Sequence, residues 1–378
     1  MKQANKKEKL QKPAIFSFFA GAGFLDLGFE MNEYEVVFVN EIFKPFLSSY
    51  IHSRKVLKIS EPRFGYHQDD IKKLLEKKES SELNKKVTEA RKSNGLVGFI
   101  GGPPCPDFSV AGKNKGREGK NGVLSQVYVD LIIKQQPDFF LFENVKGLWR
   151  TKVHRAFYDE LKSKLRKAGY VMADRLINSI EYGAPQDRDR IILVGFHKNT
   201  FKQLPKDISS DFPWEKFLKY KKEEVFSKPW PGKEDFREDV VVKMPQNIVE
   251  DLTVEYWFKK NKVDNHPNTL DCFKPREALV RFKVIPEGDV SRKCFKRLHR
   301  WRYSPTAAYG NNEVHLHPYK ARRLSVSEVL AIQSLPEKFV LPPDMTLTDK
   351  FKAVGNGVPY LAASSVSKTI KNFIEKSI

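Results

Sequence analysis

Cys105 stands in the run Gly101-Gly102-Pro103-Pro104-Cys105-Pro106-Asp107-Phe108-Ser109, directly after the apolar stretch 96–100. A turn rich in glycine and proline at the end of an apolar strand is where an open α/β sheet exposes reactive groups. A thiol that solvent reaches can serve as a thiolate nucleophile, whereas a structural cysteine prefers the middle of an apolar element. Many loop cysteines are inert, so the meaning of this one depends on its company. Glu143, in Glu143-Asn144-Val145, closes another apolar run, where burial raises a carboxyl's pKa and suits it to holding a proton. Two guanidinium groups follow in Gln186-Asp187-Arg188-Asp189-Arg190. Upstream, Phe19-Ala20-Gly21-Ala22-Gly23 turns from a strand into a helix, and small residues there let a ligand approach the backbone. Glu41 follows the next strand, about 20 residues on, where an acid can accept hydrogen bonds from ribose hydroxyls. Plainer readings exist for each: Glu143 as a helix cap, the arginines as ion pairs with Asp187 or Asp189, the glycines as a site for any nucleotide or none.

The order of these groups, closed by Gly355-Asn356-Gly357-Val358-Pro359, resembles the cytosine-C5 DNA methyltransferases. The resemblance runs from about Ile15 to Phe373, with a variable stretch at about 197–304 where that family carries its target-recognition region. It implies that Cys105 attacks C6 of a cytosine, pushing electron density to the weakly nucleophilic C5. A protonated Glu143 would donate to N3, and Arg188 or Arg190 would meet O2, the other arginine bracing the cysteine loop or a phosphate. The implied methyl donor is S-adenosylmethionine, leaving as S-adenosylhomocysteine. The matching donor positions are Phe19, Gly21, Ala22, Gly23, Phe24, Glu41, Ile42, Asp70, Ile71, Pro104, Leu124 and Asn356. One position departs from the pattern: the family often shows a further glycine after Gly23, and here Phe24 stands there. No metal ligands are implied.

The elements that must position these groups read as a doubly wound α/β sheet of the Rossmann-like methyltransferase kind. Candidate strands are 15–19, 35–39, 96–100 and 139–142, with helical stretches at 70–78 and 125–135. The Lys- and Glu-rich run 77–92 reads as a solvated helix face or loop. Residues 170–180 and 190–196 predict an antiparallel pair closing the sheet. Between Ser109 and Val123 four glycines and four cations, among them Lys113 and Arg117, suit a mobile lid over DNA. Because C6 lies inside the stacked duplex, the cytosine must be extruded into the pocket.

The chain divides into a disordered tail at 1–12, a catalytic and cofactor-binding domain at 13–196, a smaller irregular and mainly β target-recognition domain at 197–330, and a return to the catalytic domain at 331–378. Residues 290–312 hold no acidic residue. Arg297, Arg300 and Arg302, with Trp301 and Tyr303 between and after them, are therefore expected on the DNA face beside Ser109, Lys113 and Arg117. Ser325 and Glu328 predict a capping box opening a helix, and the stripe Leu361, Val366, Ile370 and Phe373 predicts a last helix packed beside the first strand.

A formal net charge of +20 over 378 residues favours a polyanionic partner, expected to be double-stranded DNA. Three cysteines, Cys105, Cys272 and Cys294, make no even disulfide framework, and no signal peptide or long apolar span is present. These features predict a cytoplasmic, nucleoid-associated monomer, with room for a cognate restriction endonuclease in the same system and no stable complex between the two. A dinucleotide-dependent oxidoreductase would share the glycine turn but leave Cys105, Glu143 and the arginines unexplained. A transfer-RNA methylase of the same fold would share most catalytic motifs, although the Cys-Phe-Thr triplet associated with that branch is absent. A catalytically silent DNA-binding protein would not need the chemical residues.

Overall fold

The computed structural model describes residues 11–104, 120–275, 278–307, 309 and 313–378. Along the chain it forms β1 (Ala14–Phe18), α1 (Phe24–Glu30), β2 (Glu35–Asn40), α2 (Lys44–Leu57), β3 (Tyr66–His67), a 3-10 turn (Ile71–Leu75), α3 (Lys77–Asn94) and β4 (Val97–Gly101). Then follow α4 (Lys120–Gln135), β5 (Phe139–Val145), α5 (Gly147–Arg150), α6 (Lys152–Lys167), β6 (Tyr170–Asn178), β7 (Gln186–Asp187) and β8 (Asp189–His197). Seven strands make one sheet in the order β3-β2-β1-β4-β5-β8-β6. The first five are parallel, and β8 runs antiparallel to both β5 and β6.

The central strands are apolar at nearly every position because helices cover both faces. Side chains alternate between those faces: Phe16, Phe18, Phe140 and Phe142 enter a core with Val87, Ile132 and Leu161 from α3, α4 and α6. Ile15, Phe139 and Leu141 enter the opposite core with Phe29 of α1 and Leu47 of α2. Two helices extend further than the sequence pattern predicts. The solvated run becomes α3, with Leu83, Val87 and Ala90 on one buried stripe, and α4 begins five residues before 125. The helix expected at 70–78 is instead a 3-10 turn capped by Asp70, whose carboxylate accepts from Lys72 N, followed by α3.

Beyond the sheet lie α7 (Lys222–Phe226), α8 (Val254–Lys260), α9 (Leu279–Lys283), β9 (Ser304–Pro305), α10 (Val326–Ile332), α11 (Leu347–Asn356) and α12 (Tyr360–Ser377). The region 197–330 is irregular, but its expected mainly β character is not found among the described residues. It holds the two-residue β9, paired with β7, and scattered single bridges. Few of its segments alternate apolar and polar residues, so its core is built by side chains from short helices and loops, including Trp257, Phe258, Leu298 and Leu324. That core also takes in Ala22, Phe24 and Leu27 of the first helix region, which seats the second unit against the sheet domain. The boundary expected at 197 falls inside the sheet's own core, because Phe201, Ile208, Phe212 and Trp214 pack there with Phe196 and Phe373. The Ser325–Glu328 capping box is present at the start of α10. Of the stripe on α12, Val366, Ile370 and Phe373 are buried in the core that contains Ile15. Among the described residues no helix is long and apolar enough to cross a membrane.

Candidate active site at the carboxyl edge of the sheet

In a parallel sheet the loops that leave the carboxyl ends of neighbouring strands converge on one crevice. Here β2, β1, β4 and β5 lie side by side, so the residues after each meet there. Glu143 is the last inward residue of the alternation Phe139, Leu141, Glu143 on β5. The β5–β8 register sets Glu143 opposite Ile192 and Val145 opposite Arg190, which makes Glu143 and Arg190 diagonal neighbours on the same face. Their side chains meet, with Arg190 Nε 2.9 Å from Glu143 Oε1. Burial pushes the Glu143 carboxyl above its ordinary pKa, and Arg190 and then Arg188 pull against that rise. The other oxygen faces the residue after β4: a Cβ built on Gly102 would lie 2.7 Å from Glu143 Oε2, so a side chain there would push the carboxylate from its place.

The two arginines, equivalent in the sequence, separate in the structure. Arg188 is 1% exposed and turned inward. It donates to Gln186 Oε1 at 3.3 Å, Ala307 O at 3.1 Å and Gly355 O at 2.8 Å, tying β7 to the second unit and to the last turn of α11. Arg190 lies beside Glu143 and also donates to Asp189 O at 2.8 Å. Asn144, to which the sequence reading gave no role, donates from Nδ2 to Pro103 O at 3.4 Å and so braces the run into Pro104-Cys105. Its place in Glu143-Asn144-Val145 was the available signal. Cys105 itself lies outside the described residues, as do Ser109, Lys113, Arg117 and most of the lid stretch.

On the β1 side, three of five residues take positive φ: Phe19 at 53°, Gly21 at 57° and Gly23 at 79°. Glu41 accepts from Gly21 N and Phe43 N, each at 2.8 Å. Burial raises its pKa, while the Phe43, Gly21 and Ile42 amides favour the carboxylate. Asn40 joins the next strand end by donating to His67 O and Asp69 O. The resulting edge has the features of a nucleoside site: a Cβ on Gly21 would meet nothing within 4 Å, Ile42 is 60% exposed beside the Glu41 carboxylate, and Asp70, Ile71 and Pro104 follow on the flanking strand ends. Leu124, on α4, is partly buried against the sheet core. Asn356 is exposed at the end of α11, and Ala22 is buried. Phe24, the departure from the family pattern, turns away from this edge into the second unit's core, meeting Phe339 edge-on at 5.2 Å.

Two residues expected on the DNA face are internal. Arg297 is fully buried, donating to Ile285 O at 2.8 Å, His317 O at 2.5 Å, Lys320 O at 3.1 Å and Phe282 O. Arg300 is buried in a two-pronged pair with Glu287, Nε to Oε1 at 2.9 Å and Nη2 to Oε2 at 2.8 Å. Both are corrected to structural roles, since their donors are satisfied by their own chain. Arg302 remains partly exposed, at 3.4 Å from Pro231 O.

Residues 14–372 match the model of the C-5 cytosine-specific DNA methylase family. The chain is 53% identical to the Type II methyltransferase M.NmeDI of Neisseria meningitidis serogroup C, over 98% of this chain and 86% of that one. It is 30% identical to M.FnuDI of Fusobacterium nucleatum, over 94% of each. Its fold is similar to that of the Spodoptera frugiperda DNMT2 crystal structure, with a TM-score of 0.57 at 16% identity, covering 95% of this chain and all of the other. The fold is that of a methyltransferase, and the chain belongs to the C-5 cytosine-specific DNA methylase family. Its reaction is methyl transfer to carbon 5 of cytosine in DNA.

Proposed function

We propose that the chain methylates cytosine within a short specific site of duplex DNA, as the modification enzyme of a Type II restriction-modification system, using Cys105, Glu143 and Arg190 for the chemistry. Attack by the Cys105 thiolate forms a bond to C6 of an extruded cytosine and moves the C5–C6 double-bond pair toward C5, N3 and O2. Glu143, held up in pKa by burial, donates a proton to N3, and the Arg190 guanidinium meets the charge at O2. S-adenosylmethionine, when bound, supplies an electrophilic methyl group for C5. Loss of the C5 proton to solvent then re-forms the C5–C6 double bond and expels the Cys105 thiolate, while N3 returns its proton to Glu143. Arg188, expected to brace the cysteine loop or a phosphate if it did not meet O2, would instead tie the sheet to the second unit through Ala307 and Gly355. For the donor, Glu41 would take the ribose hydroxyls, Ile42 and Ile71 the adenine faces, Asp70 the adenine amino group, and Phe19, Gly21, Ala22, Gly23, Phe24, Pro104, Leu124 and Asn356 the rest of the site. Duplex DNA would be held by Arg302 and by Ser109, Lys113 and Arg117. We read the enzyme as a cytoplasmic monomer that shares its site with a cognate endonuclease without binding it.

The observation that carries this reading is the Glu143–Arg190 pair lying against Gly102, on the chain segment that runs directly into Pro104-Cys105. Labelled methyl donor offered with duplex DNA or with transfer RNA tests it. Label should enter DNA alone, and Cys105→Ser should lose transfer while keeping duplex affinity. Duplex containing 5-fluorocytosine should trap a denaturation-resistant complex, because fluorine cannot leave as a proton does. Label in transfer RNA, or transfer by Cys105→Ser at the wild-type rate, would overturn it.

A further inference from the structure

We propose that Arg54 is a positioning residue for the methyl-donor loop: its buried guanidinium, held by Glu30 and Tyr50, fixes the Gly23 end of residues 19–23 from beneath. The proposal rests on the reading of that loop as the donor site. Three positive φ angles in five residues, one of them at Phe19, persist only where the surroundings over-determine the backbone. Two of the restraints come from β2 and the residue after it, through Ala20 N to Asn40 O at 3.2 Å and Gly21 N to Glu41 Oε2 at 2.8 Å. The third comes from α2. Arg54 Nη2 donates to Gly23 O at 2.7 Å, adding to the helical bond that the same carbonyl accepts from Leu27 N at 3.0 Å.

A guanidinium that is 2% exposed needs a strong reason to be charged, and packing alone would be served by an apolar side chain. The fork geometry supplies that reason. Arg54 Nε donates to Glu30 Oε1 at 3.2 Å, while Nη2, 2.8 Å from Glu30 Oε2 in the ion pair, directs its hydrogen bond to Gly23 O. The Tyr50 ring closes the other side, 4.1 Å from the guanidinium carbon. The Tyr50–Arg54 pair is also the floor of the loop, since a Cβ on Gly23 would lie 2.5 Å from Tyr50 and 2.6 Å from Arg54. An ammonium could serve Glu30 or Gly23 O but lacks the planar fork that serves both.

The test uses the full chain, with S-adenosylhomocysteine as the calorimetric probe and folding checked by thermal melting. Arg54→Lys keeps the charge beside Glu30, and Arg54→Met with Glu30→Gln removes donor and partner together, so that neither leaves a bare buried acid at position 30. Both should bind the probe about tenfold more weakly. The KM for donor should rise by the same factor, with kcat at saturating donor and duplex affinity within about twofold of wild type. Folded Arg54 variants that bind the probe within about twofold of wild type, while Glu41→Ala binds it weakly, would overturn the proposal and leave the donor site standing. If Glu41→Ala also binds like wild type, the donor reading falls with it. A fall in kcat and duplex affinity together would mark general damage and overturn the positioning role.

Discussion

Replacing Arg300 by alanine should cost the fold dearly and leave the electrostatics of DNA binding untouched. The removed guanidinium is 5% exposed, and its partner Glu287 is 4% exposed, so the substitution strands a carboxylate in the interior. Among the described residues the Glu287 carboxylate would keep the Arg300 backbone amide as its hydrogen-bond donor, at 2.8 Å. Val240 O, which accepts from Arg300 Nη1 at 2.5 Å, would lose its donor as well. Breaking a buried pair by removing one partner costs about 3–5 kcal/mol, a large part of the roughly 5–15 kcal/mol by which domains are stable. Denaturant titration of Arg300→Ala should therefore show a markedly lower midpoint. Arg300→Met with Glu287→Gln should recover much of it, since no lone charge is then buried. In a salt series on one duplex, the slope of log affinity against log salt should stay at the wild-type value, because a phosphate contact would be worth about one unit of slope. A wild-type midpoint combined with a slope reduced by about one unit would refute the reasoning and return Arg300 to the DNA face.

Asp26 gives a pH-dependent stability. Its carboxyl is buried, and burial lifts its pKa from 3.8 to about 6 against the pull of Arg54. A raised folded-state pKa means that the native state holds the proton more tightly, so this contribution is present below pH 3.8 and is lost as pH rises through 6. Between pH 5 and 8 the wild type should lose about 1.4 kcal/mol that Asp26→Asn does not lose, and unfolding curves with the same pH dependence in both proteins would refute it. Gly357→Ala would set a Cβ 2.1 Å from the Phe24 ring, which is itself fully packed. Overpacking of this kind costs about 1–3 kcal/mol, and a double-mutant cycle with Phe24→Leu should recover part of it. Strict additivity would show that the two positions do not touch.

Four of the five parallel strands were legible, with starts within one residue although the end of β5 was placed three residues short, because both faces of the sheet are covered and each is a largely apolar run; the two-residue β3 gave no such signal. Glu143 was legible for the same reason: it is the charged end of such a run. Arg188 and Arg190 could not be separated, since their difference is made by the β5–β8 register, which brings one beside Glu143 and sends the other toward Ala307 and Gly355. Arg297 and Arg300 were misplaced because a run of cations on paper is silent about what surrounds it. The acceptors that bury them come from Val240, Phe282, Ile285, Glu287, His317 and Lys320, scattered along the chain from 240 to 320. Arg54 and Asp26 gave little sign beyond the i, i+4 spacing of Tyr50 and Arg54 on one helix.

The same internal contacts bear on how the second unit reports to the chemistry. Phe24, at the end of the donor loop, lies in the second unit's core with Phe339 and under Gly357. Arg188, two residues before the arginine that pairs with Glu143, donates to Ala307 and to Gly355. Both ties are short and buried, and both run between the sheet's carboxyl edge and the elements from Ala307 to Gly357. The two ties meet opposite ends of the sheet's carboxyl edge, residues 19–24 through Phe24 and the Glu143–Arg190 pair through Arg188. The family's glycine after Gly23 could make no such contact, having no side chain to bury. In this chain Phe24 adds to Ala22 a second side-chain hold of residues 19–24 on that unit.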